Sequence, residues 1–163
     1  MQTILNNEDI KNKIRRIAHQ IYEANVNEQE IILAGISKNG FVLAQRLKVI
    51  IEKIADLECH LCEVTMDKNA PLGTVKASLE ASMYKDRSLV LVDDVLNSGT
   101  TLIYGVKYFL DVPLKKFKTA VLVNRNHKKY PIKADFKGIS LSTSLNERVK
   151  VRLNPGSDIA FLE

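Results

Sequence analysis

The stretch Ser88–Thr101, SLVLVDDVLNSGTT, decides the fold. It opens with the apolar run Leu89-Val90-Leu91-Val92, which reads as a strand buried on both faces. Two adjacent carboxylates, Asp93 and Asp94, stand where that strand should end. Asn97, Ser98, Gly99, Thr100 and Thr101 then form a short loop running into an apolar-periodic segment, read as a helix over 100–111. A Gly-containing hydroxyl loop at a helix N-terminus aims backbone N–H groups and hydroxyls at one point, and the helix dipole adds partial positive charge. That is a phosphate cradle. The carboxylate pair before it suits sugar hydroxyls or a Mg²⁺ ion, which prefers oxygen ligands. An ordinary α/β strand also ends in acidic residues and a turn. The ordered set of strand, acid pair, spacer, hydroxyl loop and helix is far more specific than any one part. The segment has no Gly-Lys-Ser/Thr for a Walker loop, and no glycines spaced for a dinucleotide fingerprint.

Working outward, Ile10, Ile14, Ile17, Ala18 and Ile21 repeat at helical spacing and predict a helix over 8–25, with Asn6 or Asn7 as its cap. Ile31 to Ala34 read as a short strand ending at Gly35, and Leu43, Leu47, Ile50, Ile51 and Ile54 as a helix over 41–56. A strand is expected over 58–66, and 67–82 reads as irregular because Asn69, Pro71 and Gly73 break any pattern. Beyond Pro113, further strands are expected at 118–124, 135–140, 148–153 and 158–162. Strand–helix alternation over 30–124 implies an α/β fold, a mostly parallel sheet with helices on both faces. Such sheets bind ligands at the carboxyl ends of their strands. Gly35, Asp94 and Asn124 each follow a buried strand, so one crevice should collect all three.

At 163 residues the chain is the size of one domain, and residues 1–163 show no linker, repeat or low-complexity tract. Hydrophobic content of 45% and charged content of 26% are those of a soluble globular protein. The N-terminal MQTILNNEDI lacks a signal pattern and no apolar run reaches membrane-spanning length, so a cytoplasmic protein without a membrane partner is expected. A net charge of +5 suits an anionic substrate and permits nucleic acid. Cys59 and Cys62 form an isolated C-x-x-C beside His60, but in a strand these side chains diverge. Two reduced, partly buried thiols are expected rather than a zinc site.

The segment 88–101 closely resembles the phosphoribosyl-diphosphate (PRPP) binding motif of type I phosphoribosyltransferases: a hydrophobic strand, two acidic residues and a loop ending in Thr/Ser-Gly-x-Thr. The resemblance implies that Asp93 and Asp94 face the ribose hydroxyls and hold Mg²⁺ indirectly, and that Val95 and Asn97 to Thr101 wrap the 5′-phosphate. The turn Gly35-Ile36-Ser37-Lys38-Asn39-Gly40 is in isolation an ordinary strand-to-helix connection. Its placement resembles the pyrophosphate loop of the same family, which makes Ser37, Lys38 and Asn39 candidate PRPP ligands and Lys38 a candidate catalytic cation.

The segment after the 118–124 strand resembles the base-binding hood of the PyrR family, pyrimidine-operon attenuators that also act as uracil phosphoribosyltransferases. The matching pieces are Asn124-Arg125-Asn126-His127, Tyr130-Pro131-Ile132-Lys133-Ala134-Asp135-Phe136, Gly138 and Ser142-Thr143-Ser144, with Arg16-Ile17-Ala18-His19 near the N-terminus. The resemblance covers nearly the whole chain. It implies one domain of type I phosphoribosyltransferase fold with a small C-terminal hood, acting on PRPP and a nucleobase, uracil first, as a homodimer or larger assembly. It places Asn124 and the backbone near Phe136, Lys137 and Ile139 at the base.

Two departures stand out. The family often has Arg where Asn39 stands, and its longer lid carries an Arg; here Lys68 is the only cation in the lid position. Electrostatic groups of this kind are commonly worth ~3 kcal/mol each, about a hundredfold in rate. Weak catalysis, or PRPP sensing with RNA binding, is therefore the alternative, and a purine-specific transferase a third. Arg125, His127, Lys128 and Lys129 lie in a basic run, with Arg16 and His19 on the first helix. Such runs are usually solvated faces. The sharper reading is contact with an RNA backbone.

Overall fold

The computed structural model describes residues 1–67, 70, 73–125, 127–142, 144 and 147–163. In chain order its elements are β1 (Gln2–Leu5), α1 (Asn7–Ala24), β2 (Glu30–Ile36), α2 (Ser37–Ile54), β3 (Glu58–Thr65), β4 (Lys76–Ala77) and α3 (Ala81–Tyr84). There follow β5 (Ser88–Leu96), α4 (Thr100–Phe109), β6 (Lys116–Arg125), β7 (Phe136–Leu141), β8 (Val149–Arg152) and β9 (Ile159–Leu162). The six-stranded sheet runs β4-β3-β2-β5-β6-β7, parallel throughout except for the antiparallel β4 at its edge. Burial on both faces explains the continuous apolar runs of β2, β5 and β6.

One core layer places α1 and α2 against one face of the sheet, through residues such as Ile14, Ile17, Leu43 and Leu47 packed on Leu33, Val90 and Leu122. The other layer gathers Leu102 and Phe109 of α4 with Ile32, Leu91 and Val121. Phe109 is fully buried, with edge-to-face contacts to Tyr84, Tyr108 and Phe117. Cys59 belongs to the first layer and Cys62 to the second. Three residues apart on a strand, they point to opposite faces, so a shared metal is excluded by geometry. His60 turns instead to Glu30, 3.0 Å away.

Asn6 caps α1 with a full capping box: Asp9 N donates to Asn6 Oδ1 and Asn6 N to Asp9 Oδ2. The strand β1 does not follow from the sequence, because MQTIL carries no turn signal and little apolar alternation. It forms by pairing antiparallel with β9, which in turn pairs with β8, making a separate three-stranded sheet. This small sheet, from the two ends of the chain, takes the place of the hood, whereas Phe136 to Leu141 of the segment read as hood form the edge strand β7 of the main sheet. Arg46 of α2 clamps the small sheet through a bidentate bridge to Asp158 at 2.6 and 3.0 Å, and Asp158 N donates to Asn7 Oδ1. The short β4 and α3 fall within the segment read as irregular from its breakers. Among the described residues no helix is long and apolar enough to cross a membrane.

Candidate active site

The acid pair sits where β5 outruns its apolar core. Asp93 is buried and Asp94 half-buried. Each carboxylate accepts the next residue's backbone N–H: Asp94 N reaches Asp93 Oδ1 at 2.9 Å and Val95 N reaches Asp94 Oδ1 at 2.8 Å. These bonds fix the direction of both carboxylates. Gly40, in the first turn of α2, lies directly against this strand end. A Cβ there would come within 2.7 Å of Val92 O and 3.3 Å of Asp93 Cα, so only glycine lets α2 approach this closely.

The loop after β5 is held open toward solvent. Gly99 takes a left-handed conformation, φ +87°, and a Cβ on it would meet Ile132 Cγ2 at 2.4 Å. The backbone amides of Lys129 and Tyr130 donate to Ser98 O at 2.7 and 3.2 Å, pinning the loop from behind. Ser98 Oγ and Thr100 Oγ1 share a hydrogen bond of 2.8 Å. No side chain caps α4. Thr100 N reaches the Ser98 hydroxyl at 3.3 Å, and with Gly99 as N-cap the next amides of the first turn have no capping side chain and are oriented for an anion.

The loop after β2 is tied down. Ser37 adopts φ 56°, a left-handed conformation that costs a non-glycine residue on the order of 1–2 kcal/mol. Asn39 Nδ2 donates both to Asp94 Oδ2 and to Val151 O, each at 2.9 Å. One amide thus joins α2, the acid pair and the hood.

The hood contributes an open strand edge. Arg148 and Glu163 exchange both backbone hydrogen bonds, at 3.2 and 2.9 Å. Antiparallel alternation then turns the backbone groups of Val149 and Val151 away from β9. Val151 O, bound by Asn39, confirms that orientation. A cavity of about 430 Å³ lies between these parts, walled by Asn39, residues 93–102 and all four residues of β8. Its wall holds every candidate of the acid pair and phosphate loop: Asp93, Asp94, Val95, Asn97, Ser98, Gly99, Thr100 and Thr101.

The remaining sequence candidates lie elsewhere. Ser37 and exposed Lys38 stand outside the cavity wall, and Lys68 lies outside the described residues. Asn124 is buried at the end of β6; its Nδ2 reaches Ser140 Oγ at 3.3 Å, and its Oδ1 has no partner among the described residues. Phe136, Lys137 and Ile139 belong to the edge strand β7 and do not wall the cavity. Arg16 donates to Lys137 O and Gly138 O, which docks α1 on β7. His19 bonds Arg15 O within α1. Arg125 is 7% exposed and faces inward, where it joins Asn97 Oδ1, the His127 ring, Ser144 O and Glu147 O. It braces the phosphate loop against the hood segment and is not a surface cation. Lys128 and Lys129 are exposed. The open edge of β8 and the residue Arg152 are the parts of the cavity that sequence reading missed. Their alternation with Val149 and Val151 signals a strand, but only sheet order shows that strand to be an edge.

The donor set suits a hard cation. Asp93 and Asp94 offer only carboxylate oxygens, several already engaged by N–H donors, which fits Mg²⁺ held largely through water and substrate oxygens.

A family profile described as "Phosphoribosyl transferase domain" matches residues 1–152. The chain is 35% identical over 162 residues to the "Bifunctional protein PyrR" of Clostridium botulinum (strain Eklund 17B / Type B), covering 93% of this chain and 89% of that protein. It is 36% identical to the protein of the same name from Alkaliphilus metalliredigens (strain QYMF), covering 92% and 87%. Among solved structures, a hypoxanthine-guanine phosphoribosyltransferase from Bacillus anthracis superposes with a TM-score of 0.80 at 21% identity, over 100% of this chain and 97% of that one. The hypoxanthine phosphoribosyltransferase of Trypanosoma cruzi gives 0.76 at 16% identity, over 91% and 85%. The fold is thus shared with purine transferases while the sequence sides with PyrR, and the chain belongs to the PyrR branch of the type I phosphoribosyltransferase family.

Proposed function

We propose that this chain transfers ribose 5-phosphate from PRPP to a pyrimidine nitrogen, with uracil as the acceptor, releasing pyrophosphate. The observation that carries this reading is one cavity wall holding both an uncapped helix N-terminus and the Asp93–Asp94 pair. The backbone and hydroxyls of Ser98 to Thr101 bind the 5′-phosphate. Asp93 and Asp94 accept hydrogen bonds from the ribose hydroxyls and so fix the ring. The bond from the anomeric carbon to pyrophosphate oxygen breaks as the bond to the base nitrogen forms, and the base N–H proton passes to solvent. Bound Mg²⁺ supplies charge neutralisation for the departing pyrophosphate.

No general base is required of the chain: Asn97 at the cavity wall is neutral, and positioning and electrostatics carry the rate. The N–H and C=O of Val149 and the N–H of Val151, turned away from β9 and without a partner among the described residues, offer the alternating donors and acceptors that a pyrimidine edge displays. Asn124, whose Oδ1 has no partner among the described residues, is a further polar group for the base. The test is pyrophosphate release from PRPP and Mg²⁺ with uracil, orotate, hypoxanthine, guanine or adenine. Uracil-dependent release is expected; release only with purines would overturn the choice of base.

A second reading, regulatory RNA binding, is favoured by one surface. Exposed Lys128 and Lys129 adjoin an edge-to-face pair, Tyr104 and Tyr130, with the ammonium of Lys129 5.6 Å from the Tyr130 ring and that of Lys107 5.7 Å from Tyr104. Cations interleaved with aromatic rings suit a single-stranded backbone and its bases. Replacing both Lys128 and Lys129 with Gln should lower RNA affinity and flatten its salt dependence. RNA binding that is absent, or insensitive to salt, would end this reading.

A further inference from the structure

The loop after β2 cannot supply an anion ligand through the side chain of Asn39. An amide has two N–H hydrogens, and both are directed at oxygen acceptors, Asp94 Oδ2 and Val151 O. Because both partners are acceptors, the nitrogen must be the atom that faces them. What remains of the side chain is an acceptor, which repels phosphate. Lys38 lies outside the cavity wall.

Two cations do stand in that wall, Lys150 and Arg152 of β8. The Lys150 ammonium is neutralised by Glu163 at 2.6 Å. The Arg152 guanidinium has no carboxylate partner among the described residues. It rests over the ring of buried Phe161, 4.9 Å from the ring centre. Stacking on an aromatic face restrains a guanidinium while leaving its in-plane N–H donors available. Arg152 therefore carries a preorganised charge with no salt bridge among the described residues, felt by Glu163 only at longer range, beside a cavity that holds two carboxylates and an anion cradle.

Its place along the cavity selects the anion. The cradle at Ser98–Thr101 opens from α4, which packs on one face of the sheet. Asn39 starts from α2 on the other face, with the acid pair between them. Arg152 immediately follows Val151, whose carbonyl Asn39 holds, so its backbone lies next to the α2 side of the cavity. We propose that Arg152 binds the pyrophosphate group of PRPP, supplying from the hood the guanidinium that the loop after β2 lacks. This inference rests on the phosphoribosyltransferase reading and names the residue that completes it.

The test is calorimetric titration of the full chain and its Arg152→Gln and Arg152→Lys variants with Mg²⁺-pyrophosphate, PRPP and UMP. Charge-assisted hydrogen bonds of this type predict that Arg152→Gln weakens pyrophosphate and PRPP by roughly 10- to 100-fold. UMP, which has only the 5′-phosphate, should change by less than about twofold on the same reasoning. Arg152→Lys should recover part of the loss, since it keeps the charge and gives up the fork. Lys53→Gln, the same change of charge on the exposed face of α2, should alter none of the three. Arg152 is exposed, so melting temperatures of the variants should match the parent; were Arg152→Gln to unfold, Arg152→Lys alone still discriminates. Unchanged pyrophosphate affinity in the variants, or an equal loss for UMP, would overturn the assignment. A parent chain that binds neither PRPP nor UMP would instead refute the transferase reading itself.

Discussion

The loops after β2 and after β5 both join a parallel strand to a helix, both contain a left-handed residue, and both reach the same cavity, yet they are built to opposite ends. Neither helix has a side-chain cap; in the loop after β5 the left-handed residue is Gly99, and hydroxyls of Ser98 and Thr100 stand at the mouth of α4. In the loop after β2 the left-handed residue is Ser37, and the amide of Asn39 is fully engaged by the acid pair and the hood. The first bonds its side-chain hydroxyls to each other at the cavity wall. The second ties its side-chain amide to the acid pair and the hood. Two equivalent connections in one sheet thus differ in what their side chains hold.

The largest effect should come from Gly99→Ala. Left-handed strain and the approach to Ile132 would force the loop to move, and PRPP affinity should fall by about a hundredfold, as for loss of several charge-assisted bonds. Calorimetry would read this while circular dichroism reports an intact fold. Binding within a few-fold of the parent would show that the loop is not the cradle. Next, Asn39→Asp would place a carboxylate against Asp94 Oδ2, where the amide now donates at 2.9 Å. Two carboxylates so close cannot both stay ionised, so turnover should fall roughly tenfold or more near neutral pH and recover in part as pH is lowered. Asn39→Asp turnover that matches the parent across pH would break the strut. The smallest effect belongs to Ser37→Gly. Relief of left-handed strain, about 1–2 kcal/mol, less the entropy of glycine, about 0.5–1 kcal/mol, leaves a net gain of about 0.5–1 kcal/mol. A rise of a degree or more in melting temperature would confirm it, and a fall would show that Ser37 is held by contacts worth more than the strain.

Legibility followed the range of the interaction. The buried runs of β2, β5 and β6, the capped α1 and the acid pair with its phosphate loop are local signals, because burial on both faces and a capping box are written in neighbouring residues. The hood was less legible. Its β1 exists only by pairing with β9 at the other end of the chain, and Gln2 to Leu5 alone have no strand pattern to announce it. The family resemblance points to Asn124 and β7 for base recognition, and the wall of the cavity is closed by β8. Arg125 reads in sequence as one more member of a basic run, and its burial depends on Asn97, Ser144 and Glu147, residues brought to it by the fold. Charge alone does not reveal which member of a run is a tie-beam.

The two thiols of β3 carry a consequence for how the molecule opens. Burial pushes the Cys59 thiol up to about 12 and raises that of Cys62 as well. An unfolded thiol ionises near its ordinary value, so above about pH 9 the unfolded chain releases a proton that the folded chain retains. Stability contributed by Cys59 is intact below that point and declines by about 1.4 kcal/mol per pH unit until pH nears 12. At neutral pH both sulfurs should be silent to an alkylating probe until their surroundings part. Cys59 lies beneath α1 and α2, and Cys62 on the α4 side. One strand therefore carries a separate chemical clock for each layer of the protein, and the order in which the two start would show which layer peels first.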